Sequence, residues 1–396
     1  MPLLLQINVT ANSGSTGKIA EDIGSLAIEK GWDSWIAYGR GTPKSLSNLI
    51  RIGNNWDMRI HGIETRLFDN HGLASRHTTK DFIKVIDKLN PDLIHLHNIH
   101  GYFLNYPLLF DFIKHWGGPV IWTLHDCWTY TGHCSHYSYV GCNKWQNCCN
   151  NCIQKNRYPA SLWLDRSMRN LDCKKDAFLG CKNLHIVTVS DWLQQEVRKS
   201  FLKDYYITTI YNGIDTSVFQ PKQSATKNSK KIILGVANVW DSRKGLDDFI
   251  ELRKKLPDNF SIVLVGLSQS QIKGLPKGII GMQRTESIGQ LVELYSMADV
   301  YVNTSVEETL GMTTIEAMSC GTPAIVYNST ACPEVIENKF CSVVKQEDID
   351  SLANAVIKTI SQSNDSIVEV LRQWVDTNFN KDKNYKKYID LYESMI

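Results

Sequence analysis

Short apolar runs alternate with polar segments of helical length along nearly the whole chain. Each run is rich in β-branched or aromatic residues, which is typical of a buried strand. A repeated order of strand, helix and strand predicts right-handed βαβ units, and therefore an α/β fold with parallel sheets. The predicted strands of the first half are Leu3–Val9, Trp35–Tyr38, Leu93–Leu96, Val120–Leu124 and His185–Val189. Those of the second half are Ile232–Val236, Ser261–Val265, Gly278–Gly281, Val300–Asn303 and Ala324–Tyr327.

The alternation pauses near Ile207–Tyr211, and a polar, lysine-rich stretch follows at Gln220–Lys231, with the composition of a linker or surface loop. A chain of 396 residues also exceeds one compact core. We therefore expect two Rossmann-like domains, residues 1–205 and 206–372, followed by a helical segment, 373–396, that packs back on the first domain. Doubly wound sheets bind ligands beyond the carboxyl ends of their strands, so we expect the chemistry in a cleft between the domains.

Composition excludes several classes of function. The net charge of +2 is too balanced for a nucleic-acid-binding protein. No run approaches the ~18 apolar residues of a membrane span. The apolar opening, Met1–Val9, has neither a basic region nor a small-residue cleavage site, so it is interpreted as a strand and not as a signal peptide. A cytoplasmic protein is expected.

Two glutamates, Glu308 and Glu316, flank a glycine, Gly311, between a predicted strand and Gly321 and Pro323. This order predicts a loop that carries Glu308 and a helix that starts near Gly311, with Glu316 about one turn inside it. The loop amides and the helix N-terminus then face an anionic ligand, and the carboxylates accept hydrogen bonds from hydroxyl groups. An ordinary connection with two solvent-facing glutamates is the alternative.

The segment Asn12–Lys18 follows the first strand and opens a helix. It resembles a Walker A loop, but Asn12 replaces the leading glycine and Ile19 stands where Ser or Thr binds magnesium, which argues against a nucleoside triphosphatase. The amides of such a loop still contact phosphate. A tight strand-to-helix turn is the alternative.

Two further sites lie where predicted strands end. His125 follows Val120–Leu124, where an imidazole can hydrogen-bond a sugar hydroxyl or a phosphate, unless it is an ordinary strand-end histidine. Arg243 and Lys244 follow the first strand of the second series and precede a helix. Two adjacent cations there can neutralise a diphosphate, whereas a solvated turn is the usual role of such a pair.

Six of the eleven cysteines fall between Cys127 and Cys152. In a reducing compartment such a cluster indicates a metal site more often than a disulfide framework. Four thiols, the last two at the spacing of a zinc half-site, predict a structural zinc ion in an insertion at residues 127–155. They are Cys134, Cys142, Cys149 and Cys152. Reduced cysteines packed in the interior are the alternative.

Taken together, these motifs resemble the retaining sugar-nucleotide glycosyltransferases of family 4, which have the GT-B fold. The resemblance covers most of the chain, and its most specific parts are Tyr211-Asn-Gly-Ile-Asp215 and the spaced glutamates. The other matching motifs are Gly14-Ser-Thr-Gly17, Thr188-Val-Ser190 with Trp192-Leu193, Arg243-Lys-Gly245 and Ala298-Asp-Val300.

A narrower resemblance is to the branch found in exopolysaccharide, capsule and colanic-acid gene clusters. Its motifs here lie at Asp69–Arg76, Leu96–Tyr102, Trp122–Trp128 and Thr131–Cys134, followed by the later cysteines. That branch implies a nucleoside diphosphate sugar as donor and a lipid-linked saccharide as acceptor at the inner face of the plasma membrane. It implies peripheral membrane association and retention of the anomeric configuration.

The family resemblance also implies a role for each matching residue. Glu316 would bind the ribose hydroxyls, Glu308 would contact the donor sugar, and Arg243 with Lys244 would stabilise the departing nucleoside diphosphate. The amides near the sugar and diphosphate would be those of Leu310, Gly311 and Met312. In the first domain, His125 would line the sugar subsite. The segment that would approach the phosphates or the acceptor is Gly14, Ser15 and Thr16.

One departure from the family concerns the cations, because many relatives carry an arginine where this chain has Asn238, and Arg243 is expected to supply that charge. With these fixed cations, no metal cofactor is expected for catalysis. Two other functions stay open on the sequence: a sugar-nucleotide epimerase, and a non-catalytic subunit that binds a sugar nucleotide. The sequence gives no oligomeric state, donor sugar or nucleobase.

Overall fold

A computed structural model of the chain describes residues 1–222, 230–362 and 366–396. The chain forms two compact units, the first from residues 1–210 and 385–396 and the second from residues 211–384. Residues 223–229 of the predicted linker lie outside the described ones. No helix of the described chain is long and apolar enough to cross a membrane.

The first unit contains a seven-stranded sheet in which every pair of neighbouring strands is parallel, in the order β3-β2-β1-β4-β5-β6-β7. Its strands are β1 (Leu3–Thr10), β2 (Asp33–Arg40), β3 (Asn48–Arg51), β4 (Leu93–Leu96), β5 (Val120–Leu124), β6 (Leu184–Thr188) and β7 (Tyr206–Thr209). The helices between them are α1 (Gly14–Glu29), α2 (Asn55–Phe68), α3 (Arg76–Leu89), α4 (Tyr106–Trp116), α5 (Ser167–Phe178) and α6 (Asp191–Arg198). The central strands β4 and β5 are buried throughout, so the core lies on both faces of the sheet.

The second unit contains a six-stranded parallel sheet in the order β10-β9-β8-β11-β12-β13. Its strands are β8 (Lys231–Val236), β9 (Phe260–Val265), β10 (Ile279–Met282), β11 (Val300–Asn303), β12 (Ala324–Tyr327) and β13 (Ser342–Val344). The helices of the second half are α7 (Leu246–Lys255), α8 (Gln269–Lys273), α9 (Ile288–Met297), α10 (Met312–Ser319), α11 (Ile349–Ser361), α12 (Ser366–Phe379) and α13 (Lys381–Met395).

The predicted α/β class with two parallel, Rossmann-like sheets is confirmed, and all ten predicted strands are present within two residues of their expected ends. The three strands that the sequence did not reveal are β3, β7 and β13, and each lies at the edge of its sheet. Edge strands are covered on fewer sides, and each of these three has at most one buried position among its three or four residues. They therefore lack the continuous apolar run by which the inner strands were recognised.

The C-terminal segment is two helices that join at Asn380. The first, α12, packs in the second unit through Leu371 and Val375. In α13, the residues from Tyr385 onward belong to the first unit. There the Tyr392 hydroxyl lies 2.6 Å from His95 Nδ1, and His95 Nε2 lies 2.8 Å from the Thr123 hydroxyl, so a buried polar chain fixes the helix against β4 and β5.

Tyr392→Ala is expected to lower the free energy of unfolding of the first unit by about 3–5 kcal/mol, since it empties a fully buried aromatic site. Tyr392→Phe keeps the ring but leaves His95 Nδ1 unpaired, which costs about 1–3 kcal/mol. Urea unfolding followed by tryptophan fluorescence measures both, with the exposed Ile396→Ala as control. If Tyr392→Ala unfolds at the same urea concentration as Ile396→Ala, α13 does not stabilise the unit as its packing implies.

Candidate functional site

The loops that follow β8 and β11 meet at the carboxyl edge of the second sheet. Thr304 donates its hydroxyl hydrogen to the Lys244 carbonyl oxygen at 2.8 Å, and the Val306 amide donates to the Arg243 carbonyl oxygen at 2.8 Å. Gly245 permits this approach because its φ is +68°, and a Cβ there would lie 2.7 Å from the Thr304 carbonyl oxygen. The predicted cations and the predicted glutamate loop are therefore side by side.

Lys244 forms an ion pair with Glu308, in which Nζ donates to Oε1. Both side chains are less than one-fifth exposed. Burial by itself raises the pKa of Glu308, but the charge and hydrogen bond of Lys244, helped by Ser305 and Arg243, hold that pKa below its usual value. Glu308 is consequently an ionised, hydrogen-bond-accepting carboxylate at the edge of the sheet.

Two groups that the sequence did not reveal support the two loops, one at Glu308 and one at Arg243. Thr330 exchanges hydrogen bonds with the Glu308 backbone, accepting from its amide and donating to its carbonyl oxygen, both at 2.9 Å. Asp241 accepts from the Arg243 backbone amide at 3.0 Å and from its Nε at 3.3 Å. An aspartate two residues before an arginine is common in turns, and Thr330 is far from Glu308 in sequence, so neither gave a usable signal.

Helix α10 begins directly after this loop, as predicted. Gly311 precedes it with a φ of +94°, no side chain caps its N-terminus, and its first turn has no acidic residue. The first backbone amides of such a helix are a favourable site for an anion. The neighbouring Leu310 is buried, and Met312 is the first helical residue.

Glu316 lies one turn inside α10 and is half-buried. Its Oε2 accepts a hydrogen bond from the Tyr295 hydroxyl at 2.9 Å. Burial and the Glu316 charge raise the pKa of Tyr295 well above its usual value, so the tyrosine keeps its proton and acts as the donor. The carboxylate of Glu316 is thereby oriented while retaining capacity to accept further hydrogen bonds.

In the first unit, the residues predicted to contact phosphate, Gly14, Ser15 and Thr16, form the first turn of α1. Gly14 has a φ of +65° and starts the helix, and neither it nor Ser15 is covered by other residues. Thr16 is half-buried, and its hydroxyl accepts a hydrogen bond from Asn8 Nδ2 at 3.4 Å. Gly17 is required for close packing, since a Cβ there would lie 2.6 Å from Thr10 Oγ1.

His125 follows β5 and is the last member of a hydrogen-bonded relay. Gln6 donates its amide nitrogen to the Ala20 carbonyl oxygen, which leaves Gln6 Oε1 to accept from His97 Nε2 at 3.0 Å. His97 Nδ1 must then accept from His125 Nε2, at 3.2 Å. Burial lowers the pKa of His125 to about 4, against the opposing charge of Asp126. His125 is therefore a neutral imidazole whose Nδ1 is an acceptor.

The predicted zinc site is not supported. Among residues 1–222, 230–362 and 366–396, no three His, Cys, Asp or Glu side chains are grouped so as to hold a metal ion. Each of the four predicted ligands, Cys134, Cys142, Cys149 and Cys152, is a free thiol. Cys149 Sγ instead accepts from the Gly132 amide at 3.2 Å. Cys134 belongs to the apolar core of the first unit, and Cys142 and Cys149 pack against that core.

Two glycosyltransferase family models match consecutive parts of the chain. The model of "Glycosyltransferase Family 4" matches residues 29–218, and that of "Glycosyl transferases group 1" matches residues 218–388. The chain is 24% identical over 390 residues to a putative colanic acid biosynthesis glycosyl transferase of Escherichia coli K12, and the match covers 91% of both chains.

Two further proteins are similar to this chain. One is the Escherichia coli UDP-Gal:alpha-D-GlcNAc-diphosphoundecaprenol alpha-1,3-galactosyltransferase, 25% identical over 237 residues that cover 52% of this chain and 59% of the relative. The other is the crystal structure of HepE from Anabaena in complex with UDP-glucose, with a TM-score of 0.66, 14% identity and 99% of each chain covered. At that identity the second likeness supports the fold, which is GT-B.

Lys244→Met is expected to lower the free energy of unfolding of the second unit by about 2 kcal/mol, because it leaves the Glu308 carboxylate partly buried without its cation. Adding Glu308→Gln to it removes the unpaired charge and should recover most of that loss. Urea unfolding of both single variants and the double variant measures the coupling. Lys254→Met, which breaks an exposed pair with Glu251, is the control and should change little. If the loss of unfolding free energy in the double variant equals the sum of the losses in the two single variants, Lys244 and Glu308 are not coupled.

Five of the buried histidines predict a loss of stability in acid. Burial lowers the pKa of His61 to about 3 and that of His125 to about 4, and it lowers the pKa values of His71, His95 and His97 well below 6.5. The unfolded chain therefore binds more protons than the folded unit below about pH 6.5, so stability falls as pH decreases from about 6.5 towards 4. Each histidine contributes up to about 1.4 kcal/mol per pH unit to that slope.

Urea unfolding between pH 7.5 and 5 measures this slope. His97→Gln should flatten it, and the exposed His115→Gln is the control. An unchanged slope in His97→Gln would show that His97 is not held neutral by the fold.

Proposed function

The chain is a glycosyltransferase of the GT-B fold, and from that premise we propose that it moves a sugar from a nucleoside diphosphate sugar to a lipid-linked saccharide. We further propose that the anomeric configuration is retained and that the product belongs to an exopolysaccharide, capsule or O-antigen. The observation that carries the proposal is the ion pair of Lys244 and Glu308 next to the uncapped N-terminus of α10. Positive groups and an ionised acceptor of hydrogen bonds are thus held at one sheet edge.

The negative charge of the donor diphosphate is complementary to the cations and helix amides of this site. Arg243 and Lys244 lie in the loop after β8, and the amides that follow Gly311 lie at the end of the loop after β11. As the bond between the sugar and the diphosphate breaks, negative charge develops on the leaving phosphate. Fixed cations and amides stabilise that charge without having to reorganise, so we propose that catalysis needs no divalent metal.

The two glutamates match the neutral, hydroxyl-rich parts of a nucleotide sugar. Glu308 is kept ionised by Lys244 and would accept a hydrogen bond from a donor-sugar hydroxyl. Glu316 is oriented by Tyr295 and would accept hydrogen bonds from the ribose hydroxyls. The crystal structure of the similar HepE contains UDP-glucose, which supports a nucleotide sugar as the donor here.

The first unit is proposed to contribute the remaining contacts. His125, neutral and with an acceptor Nδ1, would accept a hydrogen bond from a sugar hydroxyl. The backbone amides of Gly14, Ser15 and Thr16, in the first turn of α1, would approach a phosphate of the donor or the acceptor. A lipid-linked acceptor is supported by the similar Escherichia coli enzyme, whose name specifies a diphosphoundecaprenol-linked sugar.

The test is a panel of nucleotide sugars, incubated with and without a membrane lipid extract, in which release of nucleoside diphosphate is measured. One donor should be consumed only when the extract is present. Glu316→Gln and Lys244→Ala should each reduce that rate about hundredfold, the scale expected when one fixed electrostatic group is lost. Product anomers determined by NMR then test retention.

Matched controls come from the exposed ion pair on α7. Glu251→Gln and Lys254→Ala remove the same kinds of charge from the second unit without touching the site, and should turn over at the parent rate. If Glu316→Gln and Lys244→Ala behave like these controls, the proposed residue roles are wrong. If a donor binds but none is consumed, a non-catalytic subunit that binds a sugar nucleotide becomes the better description.

A further inference from the structure

Helix α2 buries polar residues and exposes apolar ones, the opposite of an ordinary surface helix. Its fully buried residues are two polar ones, His61 and Thr65. Three large apolar residues, Trp56, Ile60 and Ile63, are instead 68%, 55% and 55% exposed. Their spacing of four and three residues places them on one side of the helix. A continuous apolar stripe therefore lies on the outer surface of the first unit.

The helix is held in this orientation by hydrogen bonds. His61 Nδ1 lies 2.8 Å from the Ser75 hydroxyl, and the Gly72 amide donates to His61 Nε2 at 3.1 Å. At the N-terminus, Asn54 and Asp57 form a reciprocal capping box. These polar contacts fix α2 without burying its apolar stripe, so the stripe is available for another surface.

A second exposed apolar segment lies against the end of the same helix. Leu162, Trp163 and Leu164 are 53%, 71% and 39% exposed. The Leu162 amide donates to the Arg66 carbonyl oxygen of α2 at 2.8 Å, which joins the two segments. We refer to Trp56, Ile60, Ile63 and residues 162–164 together as the apolar face.

The charges around the apolar face are mainly positive. Residues 56–68 and 155–169 contain six arginines and lysines but three aspartates and glutamates. They are Arg59, Arg66, Lys155, Arg157, Arg166 and Arg169 against Asp57, Glu64 and Asp165. Arg59 also lies over the ring of Trp56, with its guanidinium carbon 4.9 Å from the ring centre. Tryptophan with flanking arginine is the composition favoured at the boundary between lipid headgroups and acyl chains.

We propose that the apolar face docks on the surface of an anionic phospholipid bilayer. Trp56, Ile60, Ile63 and Trp163 insert among the upper acyl chains, and the arginines bind the headgroup phosphates. A second copy of the chain fits this surface less well. A two-fold interface would place the same positively charged residues of both copies against each other, and they would repel. The docking itself does not depend on the proposed function. Its purpose does, since docking would bring the enzyme to a lipid-linked acceptor.

The test is co-sedimentation of the full chain with vesicles of phosphatidylcholine alone or with phosphatidylglycerol as about one-third of the lipid. The parent should bind the anionic vesicles preferentially, and less as salt increases. The combined variant Trp56→Ser, Ile60→Ser and Ile63→Ser should bind them at least about tenfold more weakly. The matched control replaces three exposed apolar residues elsewhere, Tyr206→Ser, Ile280→Ser and Ile357→Ser, and should bind like the parent.

A second variant tests the charges. Arg59→Gln with Arg66→Gln should lower binding to the anionic vesicles about tenfold and leave the weak binding to phosphatidylcholine unchanged. Equal melting temperatures of the variants and the parent show that the fold is intact. Parent-like binding by the apolar variant, or equal binding of the parent to both vesicle types, would overturn the proposal. So would a parent dimer that this variant converts to monomer without any change in vesicle binding.

Donor consumption measured with a detergent-dispersed lipid extract separates this proposal from the proposed function. The apolar variant should keep the parent rate in detergent, where no bilayer has to be reached. A parent that binds vesicles but consumes no donor would contradict the proposed function and leave the docking surface intact.

Discussion

The contact between Lys244 and Glu308 depends on the parallel sheet, because the two residues are 64 positions apart in sequence. In a parallel sheet every strand reaches the same edge at its carboxyl end, so β8 and β11, which are neighbours, deliver their following loops to one place. Gly245 then allows the lysine loop to lie against Thr304. The ion pair, the N-terminus of α10 and Glu316 all follow from this arrangement.

In the first unit, the parallel sheet likewise brings together polar residues from strands that are distant in sequence. Its central strands β1, β4 and β5 carry polar residues, among them Gln6, His95 and Thr123, into a core that excludes water. Each of these finds a hydrogen-bond partner, and the order of donors and acceptors from Gln6 through His97 determines the tautomer of His125. A histidine at a strand end thus becomes a neutral acceptor because of a glutamine on another strand.

Helix α2 exposes its apolar residues and buries polar ones. An amphipathic helix normally gains its stability by burying an apolar stripe. Here His61 anchors the helix through its hydrogen bonds with Ser75 and Gly72, and the apolar stripe with Trp56 remains outside. The arginines beside it, and the adjoining segment 162–164, distinguish this surface from scattered exposed apolar residues.

The amino-acid sequence by itself determined the α/β class, the inner strands of both sheets and the start of α10, because continuous apolar runs and glycine positions are local signals. It also indicated the loops that carry Arg243, Lys244 and Glu308 and the helix that carries Glu316. Tertiary structure alone decided that Lys244 pairs with Glu308, that Tyr295 orients Glu316, and that Thr330 supports the Glu308 backbone. It likewise revealed three of the four edge strands, β3, β7 and β13, and left the zinc prediction without support. Partners far apart in the sequence leave no periodic pattern, and only the packing of strands and helices brings their atoms within hydrogen-bond distance.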